Sequence, residues 1–350
     1  MAPRVPGGSP APGGPVTLRM LADYLGLSPA SVSLVLNQAP GARAIPAATQ
    51  ERIRAAAREL GYRPNTLAQS LRRQRSQTIG VLVSDMREGY ATLVLEGVER
   101  RLLQENYLYF VASHHHRPDL LQRYPRLLLD RAVEGLIAVD TPCREELSVP
   151  VVAVSGHNRT AGVTNVVLNH ERAALLALQH LAQLGHRSIA IIRGQPFSSD
   201  TDVRWQAIGS ASEALGLTID PRLVDELDGD SNLPELGYRA TQRLLETGIP
   251  FSAIFAFNDV SAFGAIGALR DAGLSVPQDV SVVGFDDILS AAAHNPPLTT
   301  VRQPLSRMGE LAAEVVIRRI AAGRDAPYSP EIAVEPELVV RGSTGPARPR

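Results

Sequence analysis

A chain of 350 residues, 44% of them hydrophobic, is long enough for two or three cores. It holds no apolar run near the eighteen or so residues that cross a bilayer, so no membrane role is expected. Its net charge of −1 conceals a division: residues 1–78 carry ten arginines against Asp23, Glu51 and Glu59, a balance of +7, whereas the remainder carries twenty-five arginines against thirty-three acids, a balance of −8. A basic segment on an acidic body directs any polyanionic partner to the first segment alone, and the complete absence of lysine excludes Schiff-base chemistry and a P-loop.

Residues 1–15, rich in Pro and Gly and without an apolar h-region, are expected to be a disordered tail and not a signal peptide. The single cysteine, Cys143, rules out an internal disulfide framework and fits a reducing, cytoplasmic setting. Residues 17–25 place Leu18, Leu21, Ala22 and Leu25 on one helical face, and Gly26 ends that helix. Ser28 then supplies an N-cap and Pro29 an N1 proline for a second helix over about 29–36, whose outward positions Ala30, Ser31 and Ser33 are small. A third helix over 48–60 faces Ile53, Ala56, Ala57 and Leu60 inward and stops at Gly61. Ala22, Gly26 and Val32 suit two helices crossing at a tight turn. Taken alone, the pattern fits any helical hairpin as well as a helix-turn-helix; the basic charge favours the latter, with 29–36 as the recognition helix.

From Ile79 onward apolar runs of strand character alternate with helical patterns. The strands read as 79–85, 107–113, 135–140, 150–155, 188–194, 253–259 and 280–287, with helical patterns such as 92–105, 171–185 and 261–273 between them. Near-continuous apolar strands separated by helices indicate buried parallel sheets, here two doubly wound subdomains. Such sheets bind ligands beyond their strands' carboxyl ends, where Ser84, Asp85, Ser155, Asn169, Asn258, Asp259, Asp286 and Asp287 collect.

These stretches resemble the LacI/GalR family of bacterial transcription regulators. The resemblance is carried by VTLRMLADYLGLSPASVSLVLN (16–37), TQERIRAAARELGYRPNTLAQSL (49–71), TIGVLV (78–83), LGHRSIAIIRG (184–194), SVPQDVSVVGFDD (275–287) and LTTVRQP (298–304). It implies an N-terminal all-α helix-turn-helix domain (16–62), a hinge helix and linker (63–77), and an α/β two-lobed periplasmic-binding-protein-like effector domain (78–343) of two doubly wound parallel sheets. Lobe 1 would span about 78–168 and 304–331, lobe 2 about 169–303 and 332–343, followed by a flexible C-terminus at 344–350.

The resemblance further implies double-stranded operator DNA contacts at Thr17, Leu18, Arg19, Ser28, Pro29, Ala30, Ser31, Ser33, Leu34 and Asn37, and from the hinge at Asn65, Ala68 and Leu71. Leu71 would wedge between base pairs in the minor groove, kinking the duplex at a cost of a few kcal/mol recovered through wider contact. Pro29, Ala30 and Leu34 occupy base-reading positions yet offer no side-chain hydrogen bond to a base edge, so readout would lean on thymine methyls, the hinge and DNA shape. The loop from Asn37 to Thr49 is about three residues longer than the family pattern leads one to expect; its Arg43 either meets a phosphate or is solvated.

Effector contacts are implied at Tyr90, Asn169, Ser198, Asp200, Arg204, Asn258 and Asp286. Arg204 and Asp286 pair a forked donor with an acceptor, a combination suited to adjacent hydroxyls or a carboxylate. Ser231 stands where an aromatic often stacks on the ligand, which favours a sugar-like effector over a purine. Strand-end capping is the alternative reading of Asn258 and the aspartates. The consecutive His114, His115 and His116 read as a solvated loop, as does the segment of Asp228 and Asp230; no HExxH or nucleophile-elbow pattern is present, and no metal or cofactor is implied. The expectation is a homodimeric, ligand-responsive repressor and not an enzyme, with a small-molecule binding protein lacking any regulatory role as the alternative.

Overall fold

The computed structural model describes residues 16–62, 75–87, 89–229, 233–323 and 326–348, which divide at 76/77 into two units. The first is helical: α1 (Leu18–Leu25), α2 (Pro29–Leu36), a 3-10 turn at Pro40–Ala44 and α3 (Ala47–Glu59). Thr17 Oγ1 accepts from Met20 N at 3.2 Å and Ser28 Oγ from Ser31 N at 3.1 Å, so each of the first two helices has a hydroxyl on an otherwise orphaned amide. Gly26, at φ +66°, makes the left-handed turn between them and returns its N–H to Ala22 and Asp23. Leu21, Ala22, Val32, Val35, Ile53, Ala56 and Ala57 close over one another as the unit's core. The loop between α2 and α3 is pinned to α3, with Gln50 Nε2 donating to the Ala42 and Ile45 carbonyls at 2.9 Å.

The second unit holds two six-stranded sheets. The strands are β1 (Thr78–Val83), β2 (Leu108–Ser113), β3 (Gly135–Val139), β4 (Val151–Val154), β5 (Val163–Leu168), β6 (Ile189–Arg193), β7 (Val224–Glu226), β8 (Ala253–Ala256), β9 (Ser281–Asp286), β10 (Thr299–Arg302), β11 (Glu331–Val334) and β12 (Glu337–Val339). One sheet runs β11-β5-β4-β3-β1-β2 with every pair parallel; the other runs β12-β10-β9-β8-β6-β7, parallel except where β12 lies antiparallel to β10. The order of both reverses beside the first strand, the crevice where doubly wound sheets take ligands.

The helices are α4 (Tyr90–Gln104), α5 (Pro118–Asp130), α6 (His170–Gln183), α7 (Asp200–Ala214), α8 (Pro234–Glu246), α9 (Asp259–Asp271), α10 (Leu289–Ala293) and α11 (Leu305–Ala322). Among the described residues the chain passes between the sheets after β5, after β10 and between β11 and β12. The last passage therefore falls at 335–336, a few residues beyond the expected 331/332 boundary, because β11 continues pairing with β5 through Val334 and Leu168.

Two further expectations change. β2 is not a buried strand: at the sheet edge, Leu108, Phe110 and Val111 remain exposed. The C-terminal segment is packed through Arg348, not flexible from 344: Ala347 N donates to Leu184 O at 2.8 Å, His186 Nε2 meets Gly345 O at 3.0 Å, and Arg348 pairs with Asp279.

Candidate functional site

In the first unit the capped crossing of α1 and α2 leaves Pro29, Ala30 and Leu34 exposed. Ser31 and Ser33 are half-buried and already engaged, Ser31 with Ser28 (2.9 Å) and Ser33 as acceptor from Asn37 Nδ2 (3.0 Å). Thr17 caps α1, Arg19 is exposed beside it, and Leu18 packs against the core and is half-buried. A small, rigid helix face of this kind permits close backbone approach to a groove, with hydroxyls at its margin. Asn65, Ala68 and Leu71 lie outside the described residues, as do Asp230 and Ser231.

In the second unit a cleft of about 670 Å³ opens between the two sheets. Tyr90, Ser198, Asp200, Arg204, Asn258 and Asp286 all line it, joined by Ser84, Asp85, Asp140, Gln195, Phe197, Phe257 and Gln303. Most sit at or just past the carboxyl ends of β1, β3, β6, β8, β9 and β10. The backbone there is unusual: Asp140 (φ +43°), Ser155 (+56°), Asp286 (+107°) and Asp287 (+59°) all occupy the left-handed region, where aspartate is tolerated better than branched residues. Asn169 does not reach the cavity. Its Oδ1 accepts from Arg172 N at 3.0 Å to cap α6, and its Nδ2 donates to Glu335 at 3.1 Å.

Arg204, 3% exposed, is the centre of the cleft's electrostatics. It donates to Asp200 Oδ2 at 3.2 Å and to the Phe257 carbonyl, and its guanidinium lies over the Phe285 ring (3.6 Å) and the Phe257 ring (4.4 Å). Asp200 Oδ1 meets His157 Nε2 at 2.7 Å and His170 Nε2 at 3.4 Å. Burial alone would raise the Asp200 pKa, but His170, His157 and Arg204 outweigh it and hold this carboxylate well below its ordinary value. Asp140 and Asp286 behave oppositely, each pushed up to about 7, first by burial and also by the neighbouring Asp200 charge. Among the described residues the Asp286 carboxyl has one short side-chain partner, accepting from Gln303 Nε2 at 2.7 Å. The cleft thus presents one fixed cation, two compensated anions (Asp200, and Asp85 paired with Arg87) and two carboxyls, Asp140 and Asp286, able to donate as well as accept hydrogen bonds, a lining suited to a polyhydroxylated guest.

Because Asp286 keeps its proton in the fold up to about pH 7 while the unfolded chain loses it near 3.8, stability declines as pH rises through that window and levels off above it. Asp286→Asn removes this penalty. Its stabilising effect is expected to be larger near pH 8 than near pH 5, by on the order of 2 kcal/mol, in paired urea titrations.

Segments of the two lobes meet around the cleft: Ser199 Oγ donates to Ser155 O at 2.6 Å, and the His116 and Phe197 rings lie 3.9 Å apart. His114 corrects the solvated-loop expectation. It is 1% exposed, bonded to Thr141 Oγ1 at 2.9 Å, and burial pushes its pKa down to about 4. Sequence reasoning missed Asp140, Gln303 and His157. Asp140 and Gln303 were accessible to the strand-end rule, Asp140 closing the run GLIAVD and Gln303 following β10; His157, in a loop, carried no signal.

Residues 17–65 match the bacterial regulatory proteins of the lacI family, and residues 178–344 match the periplasmic binding protein-like domain. Over 339 residues the chain is 31% identical to the HTH-type transcriptional repressor PurR of Haemophilus influenzae, covering 93% of this chain and 98% of that protein. Among solved structures, it is similar to the Lac repressor dimer bound to operator and the anti-inducer ONPF, with a TM-score of 0.82 and 27% identity over 95% of this chain and 100% of that one. It is also similar to the transcriptional regulator CelR in complex with cellobiose, with a TM-score of 0.68 and 28% identity over 94% and 99% of the two chains.

Proposed function

As the chain belongs to the lacI family of bacterial regulatory proteins, we propose that it is a cytoplasmic, ligand-responsive repressor and not an enzyme, binding a pseudo-palindromic operator as a homodimer. The observation that carries this reading is the exposed small face of α2, held on a capped crossing in a unit whose chain continues into a two-lobed domain with its own ligand cleft. Two copies of that face would read two half-sites, since operator symmetry mirrors protein symmetry. Leu108 and Phe110, exposed on one face of the edge strand β2, are apolar positions that would suit a second copy of the chain.

The effector in this reading is a sugar or sugar derivative. Arg204, Asn258, Asp140 and Asp286 offer a mixture of donors and acceptors to vicinal hydroxyls, and the cellobiose carried by the CelR relative accords with it. Ligand binding in the cleft would change the affinity for operator DNA, with a coupling free energy of about 1–3 kcal/mol. The proposed effector residues are Tyr90, Ser198, Asp200, Arg204, Asn258 and Asp286; the proposed DNA contacts are Thr17, Leu18, Arg19, Ser28, Pro29, Ala30, Ser31, Ser33, Leu34 and Asn37, with Asn65, Ala68 and Leu71 of the hinge.

Binding of the purified protein to its own upstream promoter DNA across a salt series, wild type beside Leu71→Ala, tests the reading. A specific complex is expected, falling steeply with salt as phosphate contacts release counterions, and weakened at least about tenfold by the substitution. Absence of a specific complex at every salt concentration, with and without a panel of sugars, overturns the repressor reading. Unchanged affinity in Leu71→Ala removes the hinge wedge and leaves Pro29–Leu36 to carry specificity.

A further inference from the structure

His157, His170 and Asp200 come from three separate segments, the loop after β4, the first turn of α6 and the first turn of α7. One potential ligand atom from each nevertheless lies within 4.8 Å of the other two. We propose that these three side chains form a binding site for a divalent transition metal of the zinc class, cross-linking the two lobes beside the cleft.

Two imidazoles and one carboxylate are a recurrent donor set for such ions, which need neutral histidine and ionised aspartate. His170 is 4% exposed and Asp200 6%, so two of the three ligands are already withdrawn from bulk water where they meet. Both Nε2 atoms face the acceptor-only carboxylate of Asp200 and carry their ring protons there, so an ion seated among the three side chains displaces those protons.

The spacing is close to what tetrahedral coordination requires. Zinc–nitrogen bonds of ~2.0–2.1 Å put ligand atoms about 3.3 Å apart. The His170–Asp200 contact, at 3.4 Å, already fits, and the His157–Asp200 contact, at 2.7 Å, has only to lengthen slightly. Arg204 holds the other carboxylate oxygen at 3.2 Å, the outer-shell arrangement that fixes a ligating carboxylate in place. Asp200 also lines the cleft, so the remaining coordination position is within reach of water or of a hydroxyl-bearing guest. Because His157 follows a strand of one sheet and Asp200 a strand of the other, an ion held between them favours the closed arrangement of the lobes.

The test uses the full chain, stripped with chelator and dialysed, and needs neither DNA nor a sugar. Titration with Zn²⁺ by calorimetry and with Co²⁺ by visible absorption is expected to show about one ion per chain, intense tetrahedral cobalt bands and a raised melting temperature. His157→Gln and His170→Gln are each expected to weaken uptake at least about a hundredfold. The double variant His115→Gln/His116→Gln leaves uptake unchanged, which separates this site from the histidine run. His157 is part-exposed, with 18% of its side chain accessible, so His157→Gln decides the matter even if His170→Gln does not fold. Absence of stoichiometric uptake, uptake that survives His157→Gln in a protein with wild-type circular dichroism, or uptake lost with His115 and His116 overturns the proposal.

Discussion

Gly97→Val is expected to cost the two-lobed unit about 3 kcal/mol or more, the upper range for overpacking a core. Gly97 on α4 faces Gly309 on α11, and the two backbones approach so closely that a Cβ at Gly97 would fall on the Ser306 carbonyl oxygen, and one at Gly309 on that of Val94. The obstacle in each case is backbone and not the tip of a movable side chain, so relief requires the helices to separate and to open the core of Val94, Val98, Met308 and Ala312. The other lobe repeats the device: a Cβ at Gly237 of α8 would meet the Ser261 carbonyl of α9, and one at Gly264 would meet that of Pro234. Urea unfolding of Gly97→Val against Gly209→Ala, where a Cβ meets nothing within 4 Å, checks the argument; equal losses in the two variants would refute it.

Arg204→Met is expected to destabilise the same unit by about 3 kcal/mol, at the lower end for breaking a buried ion pair, because Asp200 keeps two imidazoles when the guanidinium is gone. The loss is an uncompensated charge more than a lost attraction, so Asp200→Asn introduced into Arg204→Met is expected to recover part of it. The exposed Arg239–Glu235 pair at 3.0 Å is the contrast: Arg239→Ala should cost no more than about 0.5 kcal/mol. A double variant less stable than Arg204→Met alone would show that Arg204 acts through packing on Phe257 and Phe285 and not through its charge.

The LacI/GalR resemblance read from the motifs and the two-part fold class are both borne out by the family matches and the solved neighbours. The helical unit was legible nearly residue by residue, because caps, turn glycines and apolar period are local properties: Gly26, Ser28 and Val32 each do in the structure what their neighbours in sequence imply, whereas Thr17, read within the first helical pattern, caps it instead. The strands β1, β3, β4, β6, β8 and β9 were legible for a related reason, since strands buried on both faces are apolar throughout. The edge strand β2 has the same composition with an exposed face, and composition alone does not say which strand has no second neighbour. Asn169 shows the same limit at the site: a polar residue at a strand's carboxyl end can cap a helix or face a ligand, and here the cap takes it.

By itself, then, the sequence determined the family, the helical unit with its small-faced second helix, and the parallel-sheet class of the rest, since each is written in short-range pattern or motif. Only the tertiary structure decided that Asp140 and Gln303 share a cleft with Arg204 and that His157 and His170 converge on Asp200. It also decided that Gly97 stands against Gly309. These are meetings of residues far apart in the chain. Their distances are set by how two sheets and their crossover segments pack, and no periodicity along the sequence records that packing.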